Sequence, residues 1–287
     1  MRMPRRLAAN WVRSRNRIRD TGVIRNPRGE FSVHNLTCHA DAEMTLWALK
    51  SFSFFSGVSP DIVIHDDGTL TAEDRESFAR HLESCVVVER SEADRSLHDA
   101  LKPFPLCRRM RARPDFHCAL KLFDPPFFSS HPMILLLDSD ILFFRRPSEL
   151  LERISQERPC FNSDYQDAYV ATPEEVESSM GIELIRRVNA GLVAARRIDF
   201  DLAFMEEYFG HFASRPCVIN WHEQTLQAAL LSRAGAERLP EGYQISKMEL
   251  GPETISHHFV TDGSRPGFFL RGVRKLRKSG MLEAISG

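Results

Sequence analysis

Leu135-Leu136-Leu137-Asp138-Ser139-Asp140-Ile141-Leu142-Phe143-Phe144 is the stretch on which the reading of this chain turns. With Met133 and Ile134, the leucines before the first aspartate form a run that is apolar at every position. Such a run suits a strand buried on both faces of a helix-covered sheet. It stops at Asp138, and a second apolar run starts at Ile141. Alternate side chains of an extended segment point the same way, so Asp138 and Asp140 converge on one side of the strand's carboxyl end. Open α/β sheets gather their ligands at that end. Two carboxylates held close beside apolar surface resist ionisation through repulsion and desolvation. A divalent cation removes the conflict, and hard oxygen donors favour Mg2+ or Mn2+. The plain alternative is a pair of solvated aspartates at a strand end.

The flanks supply the rest of a sheet. Val33-His34-Asn35-Leu36-Thr37-Cys38 alternates apolar and polar residues, as a strand does. Residues 41–55 place Leu46, Leu49 and Phe52 at helical spacing, with Gly57 as the stop. Asp61-Ile62-Val63-Ile64-His65 reads as a strand ending at Asp66-Asp67-Gly68, and Thr71 with Asp74 forms a capping box for the next helix. Cys85-Val86-Val87-Val88 is a further short strand. This alternation predicts an α/β fold with a mostly parallel central sheet flanked by helices. The Arg- and Pro-rich segment 102–115 reads as a loop. Helices are predicted from Ser148, from Thr172-Pro173-Glu174-Glu175, over 199–212, and over 224–232 with an end near Gly235. Asp66 and Asp67 face either a nucleotide or solvent.

A length of 287 residues, 43% of them hydrophobic and 27% charged, suits one large α/β domain and excludes a disulfide mini-protein, a coiled coil or wholesale disorder. Thirty-eight basic residues against thirty-nine acidic ones leave no global field to recruit nucleic acid. Six cysteines without a C-x-x-C pair signal neither a zinc ribbon nor a thioredoxin site, and read as reduced thiols of a cytoplasmic protein. The apolar runs are too short and too interrupted for a spanning helix, and the Arg-rich beginning lacks the apolar core of a signal peptide. The expected layout is a basic N-terminal arm over 1–30, one domain over 31–262 and a basic amphipathic tail over 263–287. In that tail Phe268, Phe269, Leu270, Val273 and Leu276 interleave with Arg271, Arg274, Lys275, Arg277 and Lys278. The pattern fits peripheral contact with anionic lipid, or a C-terminal helix packed on the domain.

Five motifs in order carry a resemblance: Lys121-Leu122, Asp138-Ser139-Asp140, Asn189-Ala190-Gly191-Leu192, His222-Glu223-Gln224-Thr225 and His257-His258-Phe259. In this order the chain from Val33 to about Leu276 resembles the GT-A fold glycosyltransferases that use nucleotide-sugar donors, especially glycosyltransferase family 8, the glycogenin and lipopolysaccharide-galactosyltransferase group. The resemblance implies that Asp138 and Asp140 bind Mn2+ or Mg2+ on the donor diphosphate. A late histidine completes the metal site, with His258 the better match than His257. Lys121 contacts the donor phosphates and Asn189 borders the donor sugar, with Asp164 at the spacing of a residue that touches sugar hydroxyls. Glu223 and Gln224 stand near the anomeric carbon, with Glu where the group commonly has Asp. The implied donor is a nucleotide sugar, UDP favoured, the acceptor a saccharide or lipid-linked glycan, and the outcome retaining. The family's late Gly-x-Lys-Pro-Trp phosphate clamp is missing, and Arg265 is the nearest substitute.

Two other classes remain open on the residues. A metal-dependent phosphatase or nucleotidyltransferase also uses paired aspartates, although the chain has no Walker pattern and its Asp-x-Asp lies midway along and precedes Ile141. A glycan- or nucleotide-binding protein without turnover would keep the fold alone.

Overall fold

From Arg28 the chain winds through β1 (Arg28–Thr37), α1 (Ala42–Ser56), β2 (Ser59–Asp66), α2 (Ala72–His81) and β3 (Cys85–Val88). Next come α3 (Arg90–His98), α4 (Pro105–Arg111), α5 (Leu120–Phe123) and a single helical turn at Pro125–Phe128, before β4 (Met133–Leu137) and β5 (Ile141–Phe143). Then come α6 (Ser148–Ser155), β6 (Cys160–Ser163), α7 (Pro173–Met180), β7 (Val188–Arg196), α8 (Leu202–Phe212) and α9 (Trp221–Ala234). Short strands β8 (Glu237–Arg238), β9 (Tyr243–Ile245) and β10 (Ser256–His258) precede a helical C-terminal segment. The computed structural model describes residues 17–245, 248–260 and 264–286; the arginines within 1–16 and the side chain of Arg265 lie outside the described residues.

The main sheet has the order β3-β2-β1-β4-β7-β6-β8, so the apolar run before the acidic pair is its central strand. The pairs β3/β2, β2/β1, β1/β4 and β6/β8 are parallel, whereas β7 runs antiparallel to β4 and β6. This is the helix-flanked, mostly parallel α/β sheet that the alternation predicts. Alternate β4 side chains feed two cores. Met133, Leu135 and Leu137 join Trp47 and Phe52 of α1 on one face, and Ile134 and Leu136 join Tyr208 and Phe209 of α8 on the other. Local signals act as read: Gly57 ends α1 at φ 70°, and Thr71/Asp74 and Thr172/Glu175 each close a complete capping box.

The structure corrects one sequence reading and decides between the two alternatives of another. Segment 102–115 is not loop throughout, because Pro105–Arg111 is helical. The cap is non-local: the Glu206 carboxylate of α8 accepts from the backbone N–H groups of Leu106 (2.9 Å) and Cys107 (2.8 Å). At the other end, Phe268, Phe269, Val273 and Leu276 are buried in the same core as Leu135. The apolar half of the C-terminal segment therefore faces the protein and not a lipid surface, while Arg271, Arg274, Lys275 and Lys278 line an outward groove. Among the described residues no helix is long and apolar enough to cross a membrane.

After the acidic pair, β5 leaves the main sheet. It pairs antiparallel with β10, which pairs parallel with β9, forming a second, three-stranded sheet. Asp138-Ser139-Asp140 is thus the joint between two sheets.

Candidate active site

The joint is held by hydroxyls. Ser139 Oγ lies 2.8 Å from Thr45 Oγ1 of α1 and donates to Asn35 Oδ1 of β1 (3.2 Å), and Thr45 Oγ1 also lies 2.7 Å from Thr37 Oγ1. Asn35 further donates to the carbonyl of Leu137. All these groups are buried, so the middle residue of the motif anchors while the aspartates on either side stay available.

The register of β10 against β5 sets His258 opposite Ile141, beside the acidic pair. His258 Nε2 lies 2.9 Å from Asp140 Oδ1 and 3.8 Å from Asp138 Oδ2. Asp138, Asp140 and His258 each offer a ligand atom within 4.8 Å of the others, the one such group among the described residues. Neighbouring strand residues alternate in direction, so His257 turns away and packs on Phe259, with ring centroids 4.5 Å apart. Burial alone would lower the pKa of His258, but Asp140 and Asp138 outweigh it and raise it above the ordinary value. Burial, followed by the charge of Arg271, lowers that of His257 to about 4.

Lys121 on α5 extends into the cluster, its Nζ 2.7 Å from Asp138 Oδ1 and 2.7 Å from Glu223 Oε1. It is only 7% exposed, which sets it apart from a solvated surface lysine. Burial works against its charge, yet the two carboxylates overcome this and raise its pKa. Glu223, in the first turn of α9, is 6% exposed; burial raises its pKa, and Lys121 opposes that rise.

Asn189 connects the remaining residues. It belongs to β7, pairing in register with Asn162 of β6. Its Oδ1 accepts from Gly191 N (3.1 Å) and lies 2.7 Å from His258 Nδ1, and its Nδ2 donates to Asp164 Oδ2 (2.9 Å). Gln224 Nε2 reaches the same Asp164 oxygen at 3.4 Å. All eight candidate residues, Lys121, Asp138, Asp140, Asp164, Asn189, Glu223, Gln224 and His258, therefore join one contact network. Asp66 does not: its carboxylate accepts from the backbone of Gly68 (2.7 Å) and Leu70 (3.0 Å), shaping its own loop.

Gly191 has a steric role that the motif alone does not reveal. A Cβ there would stand 2.2 Å from His258 Cε1 and 2.9 Å from Asp138 Oδ2. The missing side chain makes the space in which imidazole and carboxylate approach. The anchoring roles of Ser139, Thr45 and Asn35 are likewise invisible in the sequence, because isolated hydroxyls and amides carry no positional signal.

The arrangement of strands matches known structures. The structure is similar to that of mouse xyloside xylosyltransferase 1, with a TM-score of 0.53 and 9% identity over 82% of this chain and 98% of that one. It is similar to the galactosyltransferase LgtC solved with donor and acceptor sugar analogues, with a TM-score of 0.54 and 11% identity over 89% and 96%. The fold is that of the GT-A glycosyltransferases. GlyE of Streptococcus pneumoniae, a further glycosyltransferase, aligns with a TM-score of 0.52 and 12% identity over 91% of this chain and 64% of its own. No protein-family model matches the chain, and no curated protein matches its sequence. At these identities the GT-A likeness is one of fold, and the chemistry has to be argued from the site.

Proposed function

We propose that the protein is a metal-dependent glycosyltransferase that moves a sugar from a nucleotide-sugar donor to a saccharide or glycoconjugate acceptor. The polarity of the His258 ring carries the reading. Asn189 Nδ2 donates to Asp164, so the Oδ1 facing His258 is an acceptor and the imidazole Nδ1 carries the proton. Nε2 then faces Asp140 and Asp138, and a neutral ring would aim its lone pair at two carboxylates. A second proton or a metal ion reconciles the three groups. Two carboxylates and one imidazole with a hydrogen-bonded second nitrogen fit Mn2+ or Mg2+, and the missing side chain of Gly191 is what lets His258 and Asp138 come together.

Asp138, Asp140 and His258 would hold the ion, which when bound supplies Lewis-acid neutralisation of a departing diphosphate. The chain's own residues do the rest. Lys121 presents a permanent cation to the leaving-group oxygens once the donor displaces its contact with Asp138. Asn189 and Asp164 orient sugar hydroxyls. Gln224 and Glu223 flank the position where positive charge grows on the anomeric carbon, and a retaining outcome belongs to this reading. UDP is the favoured nucleotide. The same reading includes a cytoplasmic location, with any contact to anionic lipid made electrostatically through Arg271, Arg274, Lys275 and Lys278.

Calorimetric titration of UDP, with GDP for comparison, into the protein and into Asp140→Asn, with and without Mn2+, tests the proposal. UDP binding that needs Mn2+ and is lost in Asp140→Asn is the expected result, followed by transfer from a sugar donor. Absence of nucleotide binding under every condition refutes it. Binding without transfer would leave a nucleotide-binding protein, and phosphate-ester cleavage without transfer a hydrolase.

A further inference from the structure

Two aromatic residues flank the Asp164–Gln224 contact along the chain, Tyr165 directly after Asp164 and Trp221 three residues before Gln224. Asp164 Oδ1 accepts from the backbone N–H of Tyr165 at 2.7 Å, so Tyr165 begins the turn that leaves the site. Trp221 precedes Gln224 by three residues on α9, which puts both on neighbouring positions of one helical face. Tyr165 is 40% exposed and Trp221 36%, and Val218, whose carbonyl accepts from Trp221 N at 2.9 Å, is exposed as well. Trp47, by contrast, is fully buried.

The rings stand on fixed supports. The Thr225 hydroxyl donates to the Trp221 carbonyl (2.7 Å) and accepts from Val170 N (2.9 Å), tying the first turn of α9 to the segment that follows Tyr165. Exposed apolar surface that continues into a polar cleft marks a ligand contact. Asp164 meets the Asp-Asp-His group only through Asn189, which contacts His258, so the two aromatic residues border the Asp164 side of the network. A pyranose matches such a rim, with apolar C–H faces for the rings and hydroxyls for the indole N–H and the adjoining amide.

We propose that Tyr165 and Trp221 form an acceptor subsite that stacks a pyranose ring of a saccharide acceptor, with Val218 on its edge. This inference rests on the glycosyltransferase reading and adds the side from which the acceptor approaches.

Saturation-transfer NMR on the full chain with Mn2+ and UDP tests it. The probes are methyl β-D-galactopyranoside, methyl β-D-glucopyranoside and galactitol, an acyclic polyol that has no ring face. In the wild type, ring C–H protons of a pyranoside should receive saturation while galactitol does not. Tyr165→Ala and Trp221→Ala, on separate elements, should each weaken pyranoside binding by about tenfold, and Trp221→Phe should recover most of it. Equal pyranoside binding in both alanine variants overturns the subsite, as does no ring saturation in a wild type that binds UDP with Mn2+; either result leaves the transferase reading standing. Failure of the wild type to bind UDP overturns both.

Discussion

Gly191→Ala isolates the packing that sets the metal-ligating geometry. The glycine lies within β7 without a left-handed backbone, so the effect of alanine is steric. Its Cβ would stand 2.2 Å from His258 Cε1, and the ring would have to retreat by about 1.2 Å to reach the 3.4 Å at which ordinary contact begins. Retreat is opposed on several sides, because His258 is 5% exposed, bonded to Asn189 and fixed in β10 between β5 and β9. Overpacking of this kind costs about 1–3 kcal/mol. For a chain of this size that is a fall in Tm of several degrees, at about 2–4 °C per kcal/mol. Metal sites tolerate ligand displacements of only about 0.2 Å, so Mn2+-dependent UDP affinity should drop at least about tenfold. Calorimetry and thermal unfolding read the two effects. If His258 is the clashing partner, the stability cost should largely vanish when Gly191→Ala is made in a His258→Ala background. The reasoning fails if the cost is the same with and without the imidazole, or if Gly191→Ala binds UDP and Mn2+ as the wild type does.

Three further outcomes follow from other contacts. Lys121→Met removes the cation between two carboxylates and should destabilise the protein by about 3–5 kcal/mol at neutral pH; part of the loss should return near pH 5, as Glu223, whose pKa burial already raises, takes up a proton, and melts at the two pH values compare this directly. His257 has a folded-state pKa of about 4, below its ordinary 6.5, so the unfolded chain binds the extra proton first. Its contribution to stability is therefore complete above pH 6.5 and is lost as pH falls through the window from 6.5 to 4, on the order of 1–2 kcal/mol by pH 5. His257→Leu should flatten the dependence of Tm on pH in that window, and an unchanged slope would count against the assignment. Ser139→Ala breaks the contacts with Thr45 and Asn35 and should cost about 1 kcal/mol in urea unfolding while weakening Mn2+-dependent UDP binding. An unaltered affinity would show that the hydroxyls do not position the aspartates.

The central strand and the acidic pair were legible because an uninterrupted apolar run ending in Asp-x-Asp needs no distant partner to be read. The helix stops and capping boxes were legible for the same reason, since Gly57, Thr71/Asp74 and Thr172/Glu175 act within a few residues. What depends on distant chain was not. Helix α4 takes its cap from Glu206, and no spacing near Pro105 announces that. The burial of Lys121 and Glu223 follows from the packing of α5 on α9, whereas each charge alone reads as solvated and only the order of the motifs marks the pair. Asn189-Ala190-Gly191 has the composition of a turn but lies in a strand, where the glycine provides close approach and not chain reversal. The interleaved Phe and Arg residues of the C-terminal segment describe one amphipathic face equally well against lipid or protein, and the structure turns it to the core.

The joint between the two sheets gives the candidate ligand set an unusual span. Asp138 directly follows a strand of the large sheet, His258 belongs to the small one, and Asp140 lies on the crossing between them. An ion held by all three would act as a rivet through both layers, adding about 2.7 kcal/mol to the folded state at a hundred times its Kd. Coordination would then double as a strain gauge: any substitution that shears one layer over the other, however remote, would register as weakened metal binding without altering a single ligand.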